Sequence, residues 1–361
     1  MKTGQAIRRG MRSYGRSLLS GSLLVCCMSC TDWIYEDRSG CDRGVYLNFR
    51  YDYNLQRADM FSDHVGGVTV YVFDADGDFV ISRSEANTAG SAPLRAKDYR
   101  MHLDLPAGEY RFVALAMQKE VAETQRGPGA KFRIAGPDGG KMEGLSVTLD
   151  HAPDGRVEHG GLPLDTLWHA MSPRSVVTSD LYAVSETLSL VRDTKHIDVV
   201  LREIDDPAGV DVADYDFRIT DRNLRLRYDN SVDESGPAVY TPYVAWNTED
   251  RTGREAAEGV GRMAHVGFMT SRILYHDRAE EDAVLTVTHR ETGREVIRVN
   301  LADMLARLRS ADELHACSEQ EFLDRGYDYR MTFFLKGDTW EAVDLEISVL
   351  NWSRRIQNVI L

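Results

Sequence analysis

Apolar and polar residues alternate with a period of two along most of the chain, the signature of strands with one face buried. Val45, Leu47 and Phe49 alternate with Tyr46, Asn48 and Arg50. Val68 to Phe73 runs into the turn Asp74-Ala75-Asp76-Gly77 and resumes as Phe79-Val80-Ile81. Those two runs predict a hairpin in which Gly77 supplies a positive φ. Tyr99 to Leu105 and Tyr110 to Met117 flank Pro106-Ala107-Gly108, which predicts a second tight strand pair. Leu145-Val147-Leu149, Ser185 to Val191 and Ile197 to Leu201 continue the pattern, so the first half reads as an antiparallel sandwich.

The alternation lapses over Arg202 to Asp214, an acidic stretch with Pro207 and Gly209 that reads as a domain boundary. Strand signals return at Tyr215 to Thr220, Leu224 to Tyr228, Val239 to Trp246, Ala264 to Thr270, Ala283 to His289 and Glu295 to Val299. Two helical signals interrupt them. Leu301, Met304, Leu305 and Leu308 share one helical face, and Ser318 with Glu321 forms a capping box ahead of Phe322-Leu323 and Gly326. The chain closes with Tyr329 to Leu335, then Val343, Leu345, Ile347 and Val349 alternating with polar residues, then a segment carrying Trp352, Ile356, Val359 and Ile360. A terminal apolar strand either stays in its own sheet or is lent to another molecule, which makes Val343, Leu345, Ile347 and Val349 the candidate strand-exchange segment.

The first thirty residues break this pattern. Lys2, Arg8, Arg9, Arg12 and Arg16 precede thirteen uncharged residues, Ser17 to Ser29, and then Cys30. An apolar run this short suits a secretory leader better than a membrane-spanning helix. Cys30, preceded by the small Ser29, is the expected lipidated residue of a lipoprotein; the alternative is a plain secretory signal. The expected divisions are a signal peptide over 1–29, a lipidated tether over 30–44, and sandwich domains over 45–205 and 206–361, in keeping with a length of 361 residues.

Charge and chemistry narrow the function. The leader holds five cations and no acid, so its removal takes the net charge from −14 to −19, and so acidic a body repels nucleic acid. Cys26 and Cys27 lie in the leader; Cys41 and Cys317 remain, either paired in an oxidising compartment or free. Asp74 to Asp78 lacks the spacing and the glutamate of a calcium loop, and Gly136 to Met142 lacks the hydroxyl and first glycine of a phosphate loop. His151 and His159 bracket Asp154 and Glu158, a weak metal-site pattern that polar loops produce by chance. Neither HExxH nor GxSxG occurs, so no enzyme activity, cofactor or metal is expected.

Several short stretches, spread in order along the chain, carry a resemblance to a known family. They are Cys30 followed by Ile34-Tyr35-Glu36-Asp37 and Cys41, Val45 to Asn54, Ala58 to Phe61, Val70 to Asp74 and Leu105 to Tyr110. Leu167-Trp168-His169, Leu190 to Val200, Asp229-Asn230, Phe322 to Arg325 and Trp340 to Leu361 with Asn351-Trp352 complete them. In these the chain resembles the FimB-type fimbrial anchor and assembly lipoproteins of Bacteroidota. The resemblance implies a mainly β protein of two transthyretin-like antiparallel β-sandwich domains with a few short helices, lipid-anchored at the outer membrane and located at the cell surface. It also implies partners among fimbrial shaft or accessory subunits, joined by strand addition. It would place a cysteine near Gly66-Gly67 to partner Cys41, and this chain has none there. The rival expectation is a surface glycan-binding lipoprotein that stacks sugars on Trp33, Trp168 or Trp246, although the last two read first as core residues.

Overall fold

The computed structural model describes residues 42–249, 261–311, 316–337, 339–349 and 352–359. The leader, Cys30, Trp33 and Cys41 lie outside them. The chain is mainly β, with short helices, and its sheets pack around two hydrophobic clusters.

The smaller cluster lies between two sheets. In one, the opening strand Gly44–Arg50 has Ala183–Ser189 on one side and Arg100–Leu103 on the other. The second runs Val191–Arg192, Leu167–Met171, Gly108–Met117, Gly67–Asp74 and Phe79–Ala86, with Val176–Thr178 also pairing to Gly108–Met117. Val45 and Leu47 point inward against Val68, Val70 and Val72, as their period-two spacing dictates. The hairpin forms as read: Val72 faces Ile81, Gly77 has φ 77°, and Asp74 Oδ1 accepts from the amides of Asp76 and Asp78 at 3.0 and 2.8 Å.

The expected pairing of Tyr99–Leu105 with Tyr110–Met117 is corrected. Arg100–Leu103 pairs with the opening strand, whereas Gly108–Met117 pairs with Gly67–Asp74 in the opposite sheet, so Pro106 to Gly108 carries the chain across the sandwich. Residues 112 to 117 are buried without a break: Phe112, Ala114 and Ala116 face the smaller cluster, and Val113, Leu115 and Met117 face the larger one. A strand covered on both faces belongs at the centre of a sheet, not beside a strand at its rim. Antiparallel order is also incomplete, because Gly44–Arg50 runs parallel to Ala183–Ser189, a pairing that their long connection permits.

Three further sheets, together with the outer face of Gly108–Met117, enclose the larger cluster. The six-stranded one runs Val244–Glu249, Arg262–Thr270, Lys195–Glu203, Asp328–Lys336, Thr339–Val349 and Trp352–Val359. A five-stranded sheet is built around Tyr215–Asp221, and a four-stranded one pairs Phe132–Ala135 and Ser146–Leu149 with strands from beyond residue 220. The acidic stretch near residue 206, where a boundary was expected, is flanked on both sides by residues of this cluster. Ile197, Val199 and Leu201, before the acidic stretch, share one core with Tyr215, Phe217 and Ile219 after it. Val239–Trp246 divides into Ala238–Tyr240 and Val244–Glu249, in different sheets. Pro242, which has no amide hydrogen, sits at the break.

Both helical signals hold. Leu301–Ala306 starts where the Asn300 side chain accepts from the Asp303 amide, and Glu319–Arg325 where Ser318 Oγ accepts from the Glu321 amide at 3.1 Å. The Gly66-Gly67 pair has its own explanation. A Cβ on either would come within 2.0 and 2.3 Å of the carbonyl oxygens of Gln118 and Lys119, so no cysteine fits there.

Candidate strand-exchange and anchoring site

The C-terminal strands form the part of the fold most suited to exchange. Thr339–Val349 lies between Asp328–Lys336 and Trp352–Val359 and is paired along both edges. Val343, Leu345 and Ile347 are 0–1% exposed and stand opposite Phe333, Met331 and Tyr329, so one face of the segment is sealed into the core. Val349 is in register with Trp352. The candidate exchange segment is thus an inner strand in this arrangement. The sheet's edge is the terminal strand Trp352–Val359, paired on one side only among the described residues. The 3-10 turn Arg307–Ala311 packs beside it. An edge of this kind offers a row of backbone donors and acceptors to another chain.

A buried polar junction joins the two clusters. Lys195 Nζ donates to the carbonyls of Arg192, Asp324 and Gly326 at 3.1, 3.2 and 2.8 Å, using its three N–H donors. Arg272 holds Asp324 with two bonds, at 2.8 and 2.7 Å, and Asn230 donates to Asp193 Oδ1 at 2.9 Å. The Arg192 guanidinium lies 4.1 Å from the Tyr327 ring centroid and 5.9 Å from that of Trp168. Burial raises the Asp193 carboxyl and lowers the Lys195 ammonium from their ordinary values, each opposed by the charges around it. With its donors committed to carbonyls, Lys195 acts as a clamp between segments. The sequence signal for this junction was the charged run Arg192 to Lys195 inside an apolar stretch; its partners Asn230, Arg272 and Asp324 are distant in the chain and carry no mark of it.

The other candidate residues are dispersed. Cys317 is half-buried against the larger cluster, while its proposed partner Cys41 and the lipidation candidate Cys30 lie outside the described residues. Trp168 is fully buried, as read; Trp246 is 39% exposed, which corrects its reading as a core residue. Its position on the edge strand Val244–Glu249 explains the difference, and its indole stacks on His265 with centroids 5.0 Å apart. His151 is exposed while His159 is buried near Tyr243, and Asp154 and Glu158 flank Arg156 at 3.9 and 3.4 Å. Among the described residues, no group of three or more His, Cys, Asp or Glu side chains could hold a metal ion, and no helix is long and apolar enough to cross a membrane.

Comparison with known proteins adds a lineage to this geometry. The family described as fimbrillin-A associated anchor proteins Mfa1 and Mfa2 matches residues 38–358. The minor fimbrium anchoring subunit Mfa2 of Porphyromonas gingivalis is 24% identical over 296 residues, 80% of this chain and 79% of that protein. A solved structure of the fimbrial anchor protein Mfa2 from that organism is similar at a TM-score of 0.55 and 17% identity, covering 88% of this chain and 99% of that one. Two Bacteroides thetaiotaomicron structures are also similar. One, described as a candidate adhesin, gives a TM-score of 0.68 at 29% identity, over 88% of this chain and 99% of that one. The other, described as a candidate polysaccharide-binding protein, gives 0.67 at 28%, over 88% and 98%.

Proposed function

Since the chain belongs to the family of fimbrillin-A associated anchor proteins, we propose that it is an outer-membrane lipoprotein that anchors or terminates a fimbria. Acyl chains on Cys30 hold it to the membrane, and shaft or accessory subunits join it by strand addition. The family match supports the fimbrial role. For the joint itself, the supporting observation is the one-sided pairing of Trp352–Val359, next to the candidate segment Val343, Leu345, Ile347 and Val349. A strand added or exchanged at that edge forms a ladder of main-chain hydrogen bonds, and alternate side chains select the partner, so no cofactor is needed. One acyl chain binds a membrane only marginally, whereas the several chains of a mature lipoprotein bind stably.

The test is membrane fractionation followed by pull-down of the native protein. Fimbrial subunits are expected in the membrane-bound complex, and Cys30→Ser is expected to move the protein to the soluble fraction. Unchanged fractionation of Cys30→Ser rejects the lipid tether, and capture without fimbrial subunits rejects the assembly role.

Glycan binding is the second reading, supported by the exposed Trp246 and by the similar structure described as a candidate polysaccharide-binding protein. A glycan array separates the two: binding that is lost in Trp246→Ala favours this reading, and a blank array removes it.

A further inference from the structure

The three most exposed large apolar side chains among the described residues sit in one short stretch: Val177 at 69%, Leu181 at 59% and Tyr182 at 60%. The stretch is pinned from inside. Thr178 Oγ1 donates to the carbonyls of Pro106 and Gly108 at 2.6 and 3.2 Å, the Ala107 amide donates to Asp180 Oδ1 at 3.0 Å, and the Leu181 amide donates to Ser179 Oγ at 3.1 Å. These bonds hold the backbone of the stretch, and the apolar side chains stand outward from it. Removing so much apolar surface from water is favourable, and nothing among the described residues covers it.

The patch lies where the N-terminal tether meets the body. Ala183, the residue after Tyr182, pairs with Gly44 at the start of the opening strand, and Arg43 just before it is tied to Asp104 at 2.6 Å. The chain from Cys30 therefore reaches the body beside Leu181 and Tyr182. Eleven residues separate Cys30 from Asp42, and the twelve Cα–Cα steps across them, fully extended, span about 40 Å. The opposite end of the same sandwich is farther from the tether: Gly108–Met117 starts next to Thr178 and runs ten residues away from it, about 30 Å, so that end meets the membrane only with the tether pulled well beyond its relaxed span of about 20 Å. Tethering raises the effective concentration of the membrane at the near end, so a small patch suffices there. Tyrosine is suited to such a position, with an apolar ring and a hydroxyl that stays among headgroups.

We propose that Val177, Leu181 and Tyr182 form a membrane-contact tip that dips into the headgroup–acyl boundary and sets the orientation of the body on the bilayer. The inference rests on the lipid-anchor reading above. It fixes the opposite end of the N-terminal sandwich away from the membrane.

The test uses the full-length lipidated chain in phosphatidylcholine vesicles. A photoreactive residue is placed by Tyr182→p-benzoylphenylalanine, with Lys119→p-benzoylphenylalanine, beyond the far end of Gly108–Met117, as the control. Adducts to lipid are expected at position 182 several-fold above those at 119. Vesicle-bound protein with equal adducts at the two positions overturns the contact tip while leaving the anchor intact. Adducts at 182 to residues 31–41 or to a second copy, in place of lipid, also overturn it. A lipidated chain that fails to stay with the vesicles overturns the anchor and this inference together.

Discussion

His169 is buried and hydrogen-bonded through Nε2 to the Tyr228 carbonyl at 2.7 Å, and burial pushes its pKa down from 6.5 to about 4. Between those values the unfolded chain binds a proton that the folded chain refuses, so this residue's stabilisation is complete above pH 6.5 and is lost as the pH falls through 4. The loss amounts to at most about 3 kcal/mol. Asp221 works in the opposite sense: burial raises its carboxyl to about 7, so its cost grows as the pH rises from 3.8 through 7. Comparing variants isolates the histidine. His169→Gln keeps a donor for Tyr228, and urea titrations at pH 7 and 4.5 are expected to differ by about 2 kcal/mol less than in the parent. An equal difference in both proteins rejects the assignment. At this scale legibility was uneven: Trp168 sits in the core as its type suggests, whereas Trp246 is exposed because its strand falls at a sheet edge.

Among elements, those fixed by neighbours in sequence were legible. The Val68–Ile81 hairpin, the Asn300 and Ser318 helix starts and the Val343–Val349 alternation all depend on backbone geometry over a few residues. The errors concern partners. Proline and glycine at 106 and 108 signalled a turn correctly but not where the turn led. The terminal strand carries a prediction of its own. A chain ending at Val349 lacks Trp352–Val359 and bares the edge of Thr339–Val349, whose other edge remains paired to Asp328–Lys336. It is expected to keep the circular dichroism of a folded β protein and to lose capture of fimbrial subunits by pull-down. Full capture by the truncated chain excludes exchange at this edge.

At the scale of the molecule, Gly108–Met117 contributes to both hydrophobic clusters, and the Lys195, Arg272 and Asp324 contacts join segments far apart in sequence. Such interlocking predicts one calorimetric unfolding transition for the whole body; two well-separated transitions reject it. The sequence by itself determined the strands, most turns, both helix starts and the leader-like N-terminal pattern, because each depends on periodicity, capping or composition within a short window. Tertiary structure alone decided that Gly108–Met117 is covered on both faces, that Lys195–Glu203 joins the C-terminal sheet, that the charged run at 192–195 closes a buried junction, and that Leu181 and Tyr182 stand beside the tether's entry. Each of these depends on which distant strand lies alongside, and alternation records only that a face is buried, never against what.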